Sequence, residues 1–163
     1  MHDHQLAIFT TGGTIDKIYF DALSEFQVGE TAMETILREA NVGFEFHITP
    51  LMRKDSLELK DQDRALIRQA VIDAPQSRIL VTHGTDTMIE SALAIGDAGN
   101  RTVVFTGAMQ PASLRNSDAV FNIGFATAAA WTLPAGVYVA INGKVFDPAT
   151  IRKSRDAQRF ELK

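Results

Sequence analysis

Three short segments of the chain each begin with threonine and continue as a small, polar loop. Each segment follows an apolar run with the composition of a β-strand. They read Thr10-Thr11-Gly12-Gly13-Thr14-Ile15-Asp16, Thr82-His83-Gly84-Thr85-Asp86-Thr87 and Thr106-Gly107-Ala108-Met109-Gln110. A threonine hydroxyl is a weak nucleophile until a neighbouring base or lysine takes its proton. The chemistry that these segments would suit is nucleophilic attack by an activated threonine.

Two residues could activate such a threonine. Lys153 is a candidate base if its surroundings favour the neutral amine. Asp86, next to Thr85, could orient that lysine or bind the amino group of a small substrate. A Thr–Asp pair at the start of a helix is also a common cap, so the residues alone leave both interpretations open.

The Gly12-Gly13 pair lets the backbone approach a ligand closely and leaves amide groups free to bind an anion. A phosphate site and a plain turn explain the pair equally well. The chain lacks both the G-x-G-x-x-G spacing and the G-x-x-x-x-G-K-[ST] spacing, so neither nucleotide-binding motif is met.

The elements that position these loops alternate between strand and helix. Strands are predicted at 6–10, 44–49, 78–82, 102–106 and 136–141, and helices at 31–41, 61–73, 87–98 and 118–131. The third and fourth strands are apolar without alternation, as in a parallel sheet covered on both faces. The order predicts an α/β, doubly wound, three-layer sandwich with a mainly parallel sheet, flavodoxin- or Rossmann-like, forming one domain over 1–163.

The topology predicts where the site lies. Ligands of open parallel sheets bind beyond the carboxyl ends of the strands, at the point where strand order reverses. A strand order of 2-1-3-4-5 would make Thr14, Thr85 and Asp86 face one another across that point. Residues 16–29 form a connection longer than most, of the kind that often covers an active site.

Local signals mark several boundaries. The pair Ala74-Pro75 predicts the end of the second helix. Thr87-x-x-Glu90 predicts a capping box at the start of the third helix, and either Ser117 or Asp118 is expected to cap the fourth helix. After the fifth strand we expect a hairpin over 142–146 and then a polar tail to Lys163.

Composition excludes several classes of function. The 163 residues are 45% hydrophobic with a net charge of −4, and the basic cluster Arg152, Lys153, Arg155 and Arg159 is too small to predict nucleic-acid binding. The chain has no cysteine, no signal-like start and no apolar span of membrane length. We therefore expect a cytoplasmic protein that binds no membrane.

His2, His4, His47 and His83 do not have the spacing of metal ligands, and neither a metal nor a cofactor is expected.

Taken together, the motifs resemble those of the bacterial-type L-asparaginase family. That family carries a T-G-G-T-I motif after its first strand and an H-G-T-D-T motif after its third. Both stand here, as Thr11-Gly12-Gly13-Thr14-Ile15 and His83-Gly84-Thr85-Asp86-Thr87. Similar segments are 103–111, Ser117-Asp118-Ala119 followed by Asn122, and 147–153.

The resemblance implies a role for each matching residue. Thr14 would be the primary nucleophile, and Thr85, Asp86 and Lys153 a second polar triad, with Asp86 also holding the substrate's α-amino group. Ser56, within Asp55-Ser56-Leu57, would bind the α-carboxylate. The implied reaction hydrolyses the side-chain amide of asparagine, or of a related small amide, to the acid and ammonia.

Two features depart from the family. A lid tyrosine of the family corresponds to Phe26, so Tyr19 is a candidate substitute, although it could equally pack on Phe20 and Phe26. Family members also carry a C-terminal domain that closes a neighbouring subunit's site. With Lys163 as the last residue we expect no such domain here, and we expect a homo-oligomer because the surface must be covered otherwise.

Two other functions remain open at this point. The same pocket could bind an amino acid or amide without turning it over, or it could hydrolyse a different small amide, ester or lactone. The two threonines and the lysine favour catalysis, whereas Phe26 favours a binding module.

Overall fold

The five apolar runs form the parallel part of one central sheet. The computed structural model describes residues 4–20, 22 and 24–163. Its strands are β1 (Gln5–Gly12), β2 (Lys17–Phe20), β3 (Glu25–Val28), β4 (Glu45–Lys54), β5 (Arg78–Thr82), β6 (Thr102–Thr106), β7 (Gly136–Ile141), β8 (Lys144–Phe146), β9 (Ile151–Ser154) and β10 (Arg159–Leu162). The main sheet has the order β4-β1-β5-β6-β7-β8, in which only β8 runs antiparallel. This is the predicted 2-1-3-4-5 order with one added edge strand.

Helices cover both faces of this sheet. They are α1 (Met33–Glu39), α2 (Asp61–Asp73), α3 (Met88–Ile95) and α4 (Ala119–Thr132). Along β5, Ile79 and Val81 pack with residues of α2 and α3, whereas Leu80 packs with residues of α1 and α4. Because side chains alternate between the faces of a strand, α2 and α3 form one outer layer and α1 and α4 the other. The three-layer α/β prediction is confirmed. Of the helices in the described part of the chain, none has the length and apolar character needed to cross a membrane.

Two antiparallel hairpins were not predicted. In the connection expected to cover the site, β2 pairs with β3. The expected polar tail is wrong, because β9 and β10 pair there and bury Ile151 and Phe160 in the core below α3. Only these two apolar side chains of the hairpin are buried, too few for their alternation to stand out among charged neighbours.

Of the two predicted helix caps, the one at α4 is made by Ser117, whose Oγ accepts from the Ala119 amide at 3.0 Å, and the one at α3 is not made. Thr87 precedes α3, but its hydroxyl donates to the Ser56 carbonyl at 2.6 Å instead of capping the helix. Asp118 precedes α4, and its carboxylate accepts from the backbone amides of Met109 and Gln110. Both side chains therefore tie a helix start to a loop at the carboxyl edge of the sheet. The second helix ends at Asp73, before Ala74-Pro75, as predicted.

The loops after β1 and β5 touch through their backbones. Gly13 has φ +84°, and a Cβ built on it would lie 2.4 Å from the amide nitrogen of Gly84. No residue with a side chain fits there, since both the conformation and the space require glycine. The Gly13 amide also donates to the Lys54 carbonyl at 2.9 Å, so the loops after β1, β4 and β5 meet at this point.

Asp16 fixes the hairpin β2–β3 and the start of α1 to this loop. Its carboxylate accepts from the Ala32 amide at 2.9 Å, and its carbonyl accepts from the Gly29 amide at 2.8 Å. The side chain is buried, and this burial raises its pKa from 3.8 to about 6, against the opposing effects of the Ala32 amide, the Thr31 hydroxyl and Arg53.

We predict that Asp16 makes stability fall as pH rises from 4 to 7. The native state holds this proton more tightly than the unfolded chain, so the stabilisation present below pH 4 is lost as pH passes through 6. Two pKa units correspond to about 3 kcal/mol. Asp16→Asn keeps an oxygen for the Ala32 amide and removes the charge. Its free energy of unfolding, from urea titrations, should match wild type at pH 4 and exceed it by about 3 kcal/mol at pH 7. Parallel pH profiles for the two proteins would contradict the prediction.

Candidate functional site

A cavity of about 310 Å³ opens at the carboxyl edge of the sheet, beside the ends of β1 and β5. Four segments line it: the loops after β1, β5 and β6, and the hairpin β9–β10. The lining residues are Thr14, Thr85, Asp86, Met109, Lys153, Arg155 and Gln158. The structure thus brings four of the residues singled out in the sequence, Thr14, Thr85, Asp86 and Lys153, around one space.

Lys153 reaches this cavity from β9 and joins the loop after β5. Its Nζ donates to Thr85 Oγ1 at 2.7 Å and to Asp86 Oδ1 at 2.8 Å. The lysine and aspartate side chains are 18% and 25% exposed, so the pair is largely shielded from water. Thr85 is itself buried. A hydroxyl, an amine and a carboxylate in direct contact can pass a proton between them.

Asp55 and Ser56 lie beside the cavity and not in its lining. Asp55 forms an ion pair with Lys17 of β2 at 3.0 Å. Partial burial raises the pKa of Asp55, but the Leu57 amide, Lys17 and the charge of Lys153 outweigh it and hold the pKa below its usual 3.8. Ser56 is buried behind Gly84, where its Oγ lies 2.6 Å from the position that a Cβ on Gly84 would take. Ser56 therefore supports the loop after β5 from below in this structure.

His83 supports the same loop from inside the protein. Its Nδ1 lies 2.7 Å from the Gly84 carbonyl and its Nε2 lies 2.7 Å from the Ser91 hydroxyl. A carbonyl only accepts, so Nδ1 carries the proton and Nε2 accepts from Ser91. Complete burial lowers the pKa to about 4, against the opposing effect of the Gly84 carbonyl. His83 is therefore a neutral, structural residue.

A buried amide side chain positions the loop after β6. Asn122 of α4 donates to the Gly107 carbonyl and to Asp118 Oδ2, each at 2.9 Å, and accepts from the Asn142 amide at 3.1 Å. With Asp118 holding the Met109 amide, this network fixes the loop that brings Met109 to the cavity. These contacts give the physical reason for Asp118 and Asn122 in the segment that resembles the family.

Tyr19 lies outside the cavity lining. Its ring contacts Phe26 edge-to-face at 5.5 Å, directly across the hairpin β2–β3, and the residue is 52% exposed. It shares a face of β2 with Lys17, because alternate residues of a strand point the same way. Lys17 reaches Asp55 beside the cavity, so this face of the hairpin is the one turned towards the site.

Three lining residues were not singled out as site residues from sequence: Met109, Arg155 and Gln158. Arg155 and Gln158 occupy the turn of the hairpin β9–β10, where the Gln158 amide donates to the Arg155 carbonyl at 3.3 Å. These two residues could be predicted at the cavity only if the hairpin had been predicted, because a polar tail without a fold gives Arg155 and Gln158 no defined position.

A larger cavity, about 730 Å³, lies at the opposite edge of the sheet, near the starts of β1 and β4. It includes Gln5, Glu45 and Gln76. Ligands of parallel sheets bind at the carboxyl ends of the strands, so the smaller cavity is the candidate site. Among the described residues, no group of three or more His, Asp or Glu side chains is arranged to hold a metal ion. His2 lies outside the described residues.

Comparison with known proteins agrees with the sequence motifs. Residues 5–161 match the family model described as "Asparaginase, N-terminal". The chain is 30% identical over 153 residues to an L-asparaginase of Thermococcus kodakarensis, covering 86% of this chain and 45% of that protein. It is 27% identical to a glutaminase-asparaginase of Acinetobacter glutaminasificans, covering 92% and 50%. The chain thus spans about half the length of these curated relatives.

The fold leads to the same family. The thermostable L-asparaginase from Thermococcus kodakarensis superposes with a TM-score of 0.86 at 27% identity, covering 97% of this chain and 51% of that one. L-asparaginase I from Vibrio cholerae shares the fold with a TM-score of 0.84 at 24% identity, covering 98% and 51%. Because the family model matches residues 5–161, which is nearly the whole of this chain, the chain belongs to the asparaginase family and corresponds to the N-terminal region of that family's proteins.

Proposed function

We propose that the protein is an amidohydrolase of the L-asparaginase type, which hydrolyses the side-chain amide of asparagine or a related small amide to the acid and ammonia. The observation that carries this proposal is the contact of Lys153 with both Thr85 and Asp86, on a cavity that Thr14 also lines. A purely structural cap has no use for a lysine between the two side chains. Family membership and the names of the relatives support the same reaction class.

In the proposed reaction Thr14 is the nucleophile. Its oxygen adds to the amide carbon, and its proton moves to the leaving nitrogen as the carbon–nitrogen bond breaks and ammonia departs. Water then adds to the acyl carbon, one proton returns to the Thr14 oxygen, and the acid is released. Backbone amides near Thr14 and Thr85 would stabilise the negative oxygen in each step, which is usually a large part of catalysis. Apart from the substrate and water, every group used belongs to the chain, so the proposal needs no cofactor.

The triad of Thr85, Asp86 and Lys153 is proposed to move the proton. As a neutral amine, Lys153 can take the proton of Thr85 while Thr85 takes one from the attacking water, and the Asp86 carboxylate at 2.8 Å stabilises the resulting ammonium until the proton is passed back to the Thr14 oxygen. Asp86 is also proposed to meet the α-amino group of an amino-acid substrate, and Ser56 to bind its α-carboxylate. Asp55 is proposed as a further substrate-binding residue. Gly84 lies between Ser56 and the cavity, so contact of Ser56 with a substrate requires the loop at Gly84 to move aside.

Tyr19 is proposed as the phenol that assists Thr14. The observation in its favour is the shared face of Tyr19 and Lys17, which turns the phenol to the side of the hairpin nearest the site. Closure of the hairpin β2–β3 over a bound substrate would bring the phenol towards Thr14.

We further propose that the protein acts as a cytoplasmic homo-oligomer, with residues 1–163 forming one domain.

A binding module is the second candidate function. It is favoured by the contact of Tyr19 with Phe26, which leaves no phenol among the lining residues of the cavity. A module that only binds would still use Asp86 and Ser56, but it would tolerate loss of the Thr14 hydroxyl. Ammonia release from asparagine, glutamine and succinamate by the purified protein separates the two functions.

We predict that Thr14→Ala lowers ammonia release by about a thousandfold or more, because the side chain that forms the acyl-enzyme is lost. Binding of aspartate, measured by calorimetry, should change little. Thr14→Ser retains a hydroxyl and should keep part of the activity. Thr132→Ala removes an exposed threonine hydroxyl on α4 and serves as the control. Full activity in Thr14→Ala would contradict the nucleophile assignment.

We predict that Lys153→Met lowers kcat by about 10²- to 10⁴-fold, the usual contribution of a general base. KM should change less, since the side chain acts on the proton and not on the bound substrate. Arg152→Met is the matched control, because Arg152 is the preceding residue of β9 and pairs with Glu161 on the surface. Equal kcat in Lys153→Met and Arg152→Met would mean that the lysine is structural.

We predict that Tyr19→Phe lowers kcat by about 10²-fold, since it removes a hydroxyl used in proton transfer and keeps the ring that packs on Phe26. Adding Phe26→Tyr to this variant restores a phenol directly across the hairpin, and part of the rate should return. A Tyr19→Phe enzyme with wild-type kcat would exclude Tyr19 from the reaction.

A further inference from the structure

A separate cavity of about 280 Å³ lies near the carboxyl end of β1, between that strand, the second half of β4 and the start of α1. It shares no lining residue with the candidate functional site. Its lining combines three acids and one base with hydroxyl-bearing and apolar side chains. This cavity is therefore a second polar space, and the proposed reaction makes no use of it.

Asp16 is the acid of this lining that lacks a cation. The other two acids are already paired, because Glu30 lies 3.5 Å from Arg53 and Glu34 lies 2.7 Å from Arg38. Asp16 is only 3% exposed, and none of the cationic side chains in the described part of the chain forms an ion pair with it. Burial raises its pKa to about 6, so the carboxyl is ionised at pH 8. A buried carboxylate is costly unless a counter-charge is present.

The Thr10 hydroxyl is a second buried polar group at this cavity. Thr10 is 2% exposed and lines the cavity, and its hydroxyl has no hydrogen-bond partner among the described residues. Its side chain lies on the same face of β1 as Ile8, which packs with residues of α1. Buried hydroxyls almost always have a partner. The oxygen of Thr10 is thus free to accept a hydrogen bond from a ligand in the cavity.

A single ammonium group suits these two oxygens. It carries one positive charge, which balances the one unpaired carboxylate of Asp16, and it has three N–H donors and no acceptor. One donor can bind the carboxylate and another the Thr10 hydroxyl. Such charge-assisted hydrogen bonds are stronger than those between neutral groups.

The rest of the cavity favours an organic cation over a bare metal ion. Within the described residues, no three His, Asp or Glu side chains are arranged to hold a metal. The cavity also has far more room than one ion needs, and Ile48, Pro50 and Met52 of β4 give it an apolar side. A short alkyl chain attached to the ammonium group would fill that space and bury its own apolar surface.

We propose that this cavity is a binding site for a primary alkylammonium ion, with the ammonium group on the Asp16 carboxylate and the Thr10 hydroxyl and the alkyl chain against the apolar side chains of β4. The site is independent of the proposed amidohydrolase function. Because the Asp16 carbonyl accepts from the Gly29 amide at 2.8 Å, a bound ligand also stabilises the base of the hairpin β2–β3.

The test uses n-butylammonium chloride at pH 8, where both the amine and the Asp16 carboxyl carry their charges. Calorimetry gives the Kd and the stoichiometry, and urea titrations give the change in stability. Wild type should bind one n-butylammonium ion per chain, and its urea midpoint should rise with the concentration of the amine. Sodium chloride at the same ionic strength and n-butanol, which has the same chain without the charge, should have neither effect.

Two variants locate the bound ion. Asp16→Asn keeps an oxygen for the Ala32 amide and should weaken n-butylammonium binding by about 10²-fold, since a buried cation then lacks its counter-charge. Thr10→Val keeps the shape of the side chain and should weaken binding by about tenfold. Glu39→Gln is the matched control, because Glu39 is an exposed acid at the end of α1 and lies outside the cavity. The urea midpoint without amine shows that each variant folds.

A third variant distinguishes the two cavities. Asp86→Asn removes the carboxylate of the candidate functional site and should leave n-butylammonium binding unchanged. If binding is lost in Asp86→Asn and kept in Asp16→Asn, the cation binds at the candidate functional site and the proposal is wrong. Absence of binding to wild type, or equal affinity in wild type and Asp16→Asn, would also overturn it. None of these measurements depends on ammonia release, so the proposed amidohydrolase function is tested separately.

Discussion

The close approach of Gly13 and Gly84 is the constraint on which the rest of the site depends. These glycines lie in the loops after two neighbouring strands, β1 and β5, and the two backbones approach so closely that even a methyl group on Gly13 would collide with Gly84. The next residues along the chain, Thr14 and Thr85, are thereby brought to the same cavity. Parallel pairing of β1 with β5 supplies the approximate placement, and the absence of a side chain at Gly13 allows the final approach.

Residues buried beneath these loops keep the geometry in place. His83 spans from the Gly84 carbonyl to Ser91, Ser56 fills the space behind Gly84, and Asn122 ties the loop after β6 to α4. Each is polar and buried, which is costly unless its hydrogen bonds are made. The family motifs therefore contain two kinds of residue. Some can touch a substrate, and others exist to satisfy backbone groups that the tight loops would leave unpaired.

The sequence predicted the sheet well because its signal is local. β5, β6 and β7 begin and end where their apolar runs do, and α2 has its predicted bounds. The hairpin β9–β10 escaped prediction, since its register depends on burying Ile151 and Phe160 against a core formed by distant residues. The hydrogen bond of the Thr87 hydroxyl was not predicted for a similar reason. Its capping partner is available locally, but the Ser56 carbonyl, 31 residues away, accepts its hydroxyl instead. The candidate threonines followed from motif and topology, whereas Arg155 and Gln158 required the fold of the hairpin.

Two ion pairs at the site share one arrangement: each joins an antiparallel hairpin to a loop of the parallel sheet. Lys17 on the hairpin β2–β3 pairs with Asp55 after β4, and Lys153 on the hairpin β9–β10 pairs with Asp86 after β5. In both pairs the carboxylate belongs to a loop of the parallel sheet and the cation to an antiparallel hairpin outside it. Such partly buried pairs contribute little net stability, because lost hydration offsets most of their attraction. Their effect is on geometry: each ion pair joins one hairpin to one loop of the sheet and so helps to fix where that hairpin lies. A ligand that competes for either carboxylate would loosen the hairpin attached to it, whereas an anion that contacts the cations would leave both hairpins in place.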